Sequence, residues 1–193
     1  MSLASSTNNR PEASARSLWA PLQADLQFGQ ATDGDSKWGR ILFNRGFHAL
    51  VCYRIAHRLR KGPLAFMGLI LTRICQMLYS IDIDPRADIA GGIIIYHGVG
   101  LVIGQGVIIE ERVILFHGVT LGIKRSARND GFPYIESDTV IGTGAKLLGK
   151  IRVGARTVIG ANAVVTRDIP ANCIVSVPAP TISARSTAAS HSG

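Results

Sequence analysis

Aliphatic residues recur every six positions through the middle of the chain. Stepping from Ile83 gives Ile89, Ile95, Leu101, Val107, Val113 and Val119. The pattern breaks across the stretch IKRSARNDGFPY and resumes at Ile135, running through Ile141, Leu147, Val153, Ile159 and Val165, then Ala171 and Val177. The step from Val119 to Ile135 is not a multiple of six, so an inserted loop, taken as 123–134, resets the register. A period of six fits neither an α-helix nor a flat strand. It marks a parallel β-helix, in which each hexapeptide forms one short strand and a turn. A second inward set lies four positions on: Thr139, Ala145, Ile151, Thr157, Ala163 and Ile169. These are small or β-branched, as a narrow interior requires. Glycines such as Gly98, Gly104, Gly142, Gly154 and Gly160 fall near the corners, where the backbone needs left-handed angles or close approach. Spacing does not fix the handedness, but hexapeptide coils of this type are left-handed.

Upstream the period changes. Leu42, Phe43, Phe47, Leu50, Val51, Ile55 and Leu59 fall near helical spacing, and Gly62-Pro63 ends that segment. A second helix is expected from about Pro63 to Ser80. The fold expected is therefore an all-β left-handed parallel β-helix over 81–180 with an α-helical cap over 18–80. Residues 1–17 read as a disordered tail without the apolar core of a secretory signal, and 181–193 as a flexible tail. The apolar run from Leu64 to Ile81 contains Arg73 and falls short of a membrane span.

Composition narrows the function. The chain of 193 residues is 47% hydrophobic and 18% charged, which is globular. Three scattered cysteines, Cys52, Cys75 and Cys173, support neither a disulfide framework nor a zinc site, and fit a reducing cytoplasm. No metal is expected. The formal net charge of +8 suits an anionic membrane face or a phosphorylated co-substrate. The cluster Arg54, His57, Arg58, Arg60 and Lys61 reads as a solvated helix end, and nucleic acid is not an expected partner.

Polar residues on an aliphatic coil need a reason. His97 can serve as a general base near neutral pH. Asp82 precedes it by 15 residues, close to one coil of ~18, which would bring its carboxylate to the ring to fix the tautomer. No GxSxG, HExxH or phosphate loop is present. Direct transfer from an activated donor to a hydroxyl needs only a base and a positioned donor.

Five segments carry a resemblance: GFHALVCYRIAHRL (Gly46 to Leu59), IDIDPRADIAGGI (Ile81 to Ile93), HGVGLVIG (His97 to Gly104), VTLG (Val119 to Gly122) and IGTGAKLLGKIRVGARTVIGANAVV (Ile141 to Val165). On these the chain resembles the serine acetyltransferase family of hexapeptide-repeat acyltransferases, continuously from about Gly46 to Pro178. The resemblance implies acetyl-CoA as donor and co-substrate, and a homotrimer, or a dimer of such trimers, with each active site between neighbours. It implies His97 as the base and Asp82 as its partner. The donor would lie along Gly122, Gly142, Thr143 and Ala145, with Lys146, and also Lys150, meeting its phosphates.

The pocket departs from that family. Tyr96 stands where an aspartate precedes the histidine, and Gly131-Phe132-Pro133 replaces an Arg-His-Pro segment. Of two upstream aspartates, Asp33 and Asp35, Asp35 is taken as the acceptor contact. His117, in FHGVTLG, is a further difference. Tyr96, His117, Phe132 and Asp35 thus form the expected acceptor site, less charged and more aromatic than one for serine. These residues look similar to the O-acetyltransferases of exopolysaccharide clusters, of the colanic acid type. The acceptor expected first is therefore a sugar hydroxyl in surface polysaccharide assembly, with peripheral contact at the inner membrane face. Serine O-acetylation toward cysteine is the alternative, and an inactive trimeric scaffold the reading from another class.

Overall fold

The computed structural model describes residues 18–34, 36–124, 131–179 and 181–182. Asp35 and nearly all of both expected tails lie outside the described residues. Four helices precede the coil: α1 (Trp19–Asp33), α2 (Lys37–Phe43), α3 (Arg45–Leu59) and α4 (Ala65–Tyr79). The sequence suggested one helix where α2 and α3 stand. Asn44 splits them, adopting an extended conformation and accepting a hydrogen bond from the Phe47 amide at 2.9 Å as the N-cap of α3. The periodicity gave no sign of α1, because its buried positions are Leu22, Asp25 and Gly29, of which only one is apolar.

The coil that follows is built from short parallel strands on three faces. One face carries β1 (Asp82–Ile83), β4 (Val102–Ile103), β7 (Thr120–Gly122), β10 (Lys146–Leu148) and β13 (Val164–Val165). The second carries β2 (Asp88–Ile89), β5 (Ile108–Ile109), β8 (Tyr134–Ile135) and β11 (Arg152–Val153). The third carries β3 (Ile93–Tyr96), β6 (Val113–Phe116), β9 (Val140–Ile141), β12 (Val158–Ile159) and β14 (Ile174–Val175). Aliphatic side chains stack inward through all three, and both inward sets named above are buried from Ile83 to Val165. The hydroxyls of Thr139 and Thr157, the polar groups inside, donate to the carbonyls of Glu136 and Pro170.

The register contains a slip that stepping by six does not reveal. Ile83 pairs with Ile103 and Ile95 with Leu115, both offsets of 20, whereas Ile103 pairs with Leu121 and Ile141 with Ile159, offsets of 18. Two residues are therefore added between Tyr96 and Leu101. The aliphatic frame hides them because the count passes from one inward set to the other. Across the inserted loop, Ile109 pairs with Ile135, an offset of 26, eight more than 18. At the far end Ile159 pairs with Val175, so the frame shifts back by two. Ala171 and Val177 are accordingly exposed rather than inward.

One buried ion pair joins cap to coil. The Arg54 guanidinium of α3 donates to both carboxylate oxygens of Asp25 at 2.8 and 2.9 Å, and to the carbonyls of Ile89 and Ala90. Asp25 in turn accepts from the Ile93 amide at 2.8 Å. Burial pushes the Asp25 carboxyl up from its ordinary range, and the adjacent guanidinium opposes that shift. Beside this pair the Tyr53 hydroxyl donates to the Ala87 carbonyl at 2.8 Å. Asp25→Ala would strand the guanidinium in a dry joint. The expected loss is about 3–5 kcal/mol of unfolding free energy by urea denaturation; a loss under about 1 kcal/mol would mean other contacts hold the cap.

Candidate active site

The two-residue slip falls at the edge where the third face turns into the first. There the chain leaves β3 through Tyr96, His97 and Gly98. His97 is held in the left-handed region at φ 61°, unusual for a residue with a side chain. Gly98 follows at φ 67°, and a Cβ there would meet the Ile81 side chain at 2.3 Å. The sequence places glycine where both the angle and the space demand it. The result is an exposed imidazole at a rigid corner.

One coil on, β6 leaves in the same way. Tyr96 pairs with Phe116, their ring centroids 5.0 Å apart, and this sets His117 next to His97 with centroids 6.0 Å apart in an edge-on arrangement. His97 and His117, both singled out in the sequence, thus do share one place. The Lys146 ammonium lies at the same corner, donating to the Gly118 carbonyl at 2.6 Å and to the Thr120 hydroxyl at 3.0 Å. Thr143 belongs to the next coil at this edge, its carbonyl accepting from the Asn162 amide.

Other expected members differ. Asp82 lies at the start of β1, directly over Val102, with its carboxylate accepting from the Gln76 side chain at 3.3 Å. Among the described hydrogen bonds none joins Asp82 to His97. The coil here is 20 residues long, so a separation of 15 does not stack the two side chains. Ala145 is fully buried, and its N–H and C=O bond to Gly142 and Thr120; it supports the corner from inside. Gly142 is needed by the next coil, since a Cβ would meet the Ile159 carbonyl at 2.8 Å. Phe132 does not join Tyr96 in one chain. Its ring covers Gly104 and Gly106 at the opposite edge of the first face, where Gly131 abuts Lys150 and the Gly122 carbonyl accepts from Gly149.

A residue left ambiguous in the sequence stands at the first corner. Asp33, the last residue of α1, accepts a short hydrogen bond from the Tyr96 hydroxyl and pairs with the buried Arg40 guanidinium. Arg40 is itself anchored on the Gly29 carbonyl at 3.0 Å. A carboxylate with a fixed orientation therefore stands against the strand end that carries His97. Spacing alone did not separate Asp33 from Asp35, because the sequence does not say where α1 stops. Among the described residues no cluster of three His, Cys, Asp or Glu side chains is arranged to hold a metal ion.

Comparison with known proteins adds to this geometry. Residues 132–167 match the family model for the bacterial transferase hexapeptide (six repeats). A serine acetyltransferase of Helicobacter pylori is 42% identical over 135 residues, covering 70% of this chain and 79% of that protein. Among solved structures, serine acetyltransferase of Brucella abortus in complex with coenzyme A superposes with a TM-score of 0.78 at 34% identity, over 88% of this chain and 68% of that one. The enzyme of Neisseria gonorrhoeae in complex with serine gives 0.77 at 32%, over 85% and 68%. The chain spans between 62% and 70% of the solved relatives' length.

Gly98→Ala tests the corner itself. The added methyl combines an unfavourable angle with a clash, and the expected cost is about 2 kcal/mol or more of unfolding free energy. Unchanged urea unfolding would mean that the chain can turn here by another path.

Proposed function

The chain belongs to the serine acetyltransferase family of hexapeptide transferases and is an acyltransferase drawing on acetyl-CoA; from that premise we propose that its acceptor is the hydroxyl of L-serine. The observation that carries this reading is the 42% identity to a serine acetyltransferase over 135 residues, which include the His97 corner by their extent across the coil. The relatives matched favour serine over the sugar hydroxyl that Tyr96, His117 and Phe132 suggested, and closeness to the exopolysaccharide enzymes receives no support from them. Two features of the structure agree. Phe132 is engaged in packing on Gly104 and Gly106, and Asp33 supplies a carboxylate beside Tyr96 for an ammonium group that would be costly to hold unpaired.

In this reading His97 takes the proton as the serine oxygen attacks the thioester carbonyl. The C–S bond breaks, the C–O bond forms, and the proton passes on to the departing coenzyme A sulfur. Asp82 keeps the role of partner to the imidazole that the family resemblance implies, since catalytic hydrogen bonds are often long in the free enzyme. Thr143 and Lys146 receive the donor along the corner. His117 borders the acceptor.

The expected sites occupy two edges of the first face, His97 and His117 on one, Phe132, Gly131, Gly122 and Lys150 on the other. A homotrimer would lay one edge against a neighbour's opposite edge and complete each site between copies. Use of acetyl-CoA, together with three free cysteines, supports a cytoplasmic setting.

The test is steady-state kinetics of coenzyme A release. His97→Ala is expected to lower kcat/KM by ~10²–10⁴-fold with the assembly intact. Asp33→Asn is expected to raise KM for serine about tenfold or more while leaving acetyl-CoA binding unchanged. Full activity of His97→Ala would refute the proposed base.

A further inference from the structure

Helix α4 is packed the wrong way round for a helix in water. Its buried residues are the small Gly68 and Cys75, flanked by the half-buried Leu71, Thr72 and Tyr79. Gly68 lies so close to Ala56 that a Cβ would meet its backbone at 3.2 Å. Apart from Leu71, the large apolar residues face outward: Phe66, Met67, Leu69, Ile70, Ile74, Met77 and Leu78 are all exposed, Met77 by 84%. An ordinary surface helix shows the reverse, and an apolar patch of this extent marks an interaction surface. The patch extends to α2. The His48 ring bridges the Ile41 carbonyl and the Tyr79 hydroxyl, which brings the end of α2, with Phe43 exposed by 80%, to the end of α4.

Charge identifies what the surface meets. Between Asp35 and Asp82 the sequence has eight Lys or Arg and no acidic residue, so this segment alone accounts for the whole formal net charge of +8. Arg40 and Arg54 pair inward with Asp33 and Asp25. The other six, Lys37, Arg45, Arg58, Arg60, Lys61 and Arg73, are exposed. Arg58, Arg60 and Lys61 stand at the turn leading into α4, and Arg73 lies within its outer face.

We propose that the outer face of α4, flanked by these cations, docks on an anionic lipid surface, with Phe66, Leu69 and Met77 entering the headgroup region and the cations meeting lipid phosphates. No helix here is long and apolar enough to cross a membrane; α4, 15 residues long, would lie in the interface. Pairing of this face with itself in a second copy is disfavoured, because the segment holds no carboxylate to offset the cations brought together. The proposal does not depend on the acceptor being serine.

Co-sedimentation with vesicles of equal parts phosphatidylglycerol and phosphatidylcholine, against pure phosphatidylcholine, tests it on the full chain. Binding is expected only to the anionic vesicles and weakens as salt shortens the screening length from ~10 Å at 0.1 M. Each cation near such a surface strengthens partition about fivefold, so Arg58→Ser, Arg60→Ser and Lys61→Ser combined should weaken it roughly 100-fold. Phe66→Ser, Leu69→Ser and Met77→Ser combined should abolish binding while retaining acetyl transfer and the particle mass by light scattering. Absence of binding to anionic vesicles would overturn the proposal. So would a fall in particle mass of the apolar variant without lipid, which would make the face a contact between copies.

Discussion

Everything outward on this coil is positioned by what stacks inward. Aliphatic residues from successive turns pile up along three faces, from Ile83, Ile103, Leu121, Leu147 and Val165 on one, with equivalents on the other two. Parallel backbone hydrogen bonds lock the spacing between turns. A side chain pointing out at a corner therefore has almost no freedom to drift, and a change in register moves it by a defined amount. The slip of two residues after Tyr96 is such a change. It thrusts His97 out in a left-handed conformation and leaves the ladder above and below undisturbed.

The helical cap bears on that corner through charge. Arg54 seats the cap on the coil by way of Asp25 and the Ile89 and Ala90 carbonyls. The same arrangement delivers the end of α1, and with it Asp33, to the hydroxyl of Tyr96. A tyrosine in place of the family's aspartate thus coincides with a carboxylate brought in from another element. On the proposed serine reading, that carboxylate would supply the negative charge an amino acid's ammonium needs in a pocket that looks aromatic along the chain.

The coil was legible in the sequence because its period of six comes from inward packing, which few other folds impose. The slip was not, since Leu101 and Val107 fit either inward set and aliphatic residues carry no mark of frame. His97 and His117 were both singled out in the sequence, but their mutual contact was not, since it depends on the 20-residue coil that pairs Tyr96 with Phe116. The partnership of Asp82 with His97 was inferred from a coil length that the slip alters. Asp33 was beyond reach of periodicity, because α1 buries an aspartate and a glycine where a helix normally buries apolar residues. The outward turn of α4 was only half legible: the expected peripheral membrane contact named no face, because composition reveals that a helix is apolar but not which side it turns to its neighbours.

The choice of acceptor decides which reaction the His97 corner serves. The most direct measurement is a competition in which purified protein, acetyl-CoA, L-serine and a panel of nucleotide sugars share one reaction, with the acetylated product identified by mass spectrometry. O-acetyl-L-serine is expected as the dominant product. An acetylated sugar as the dominant product, with serine untouched, would contradict it.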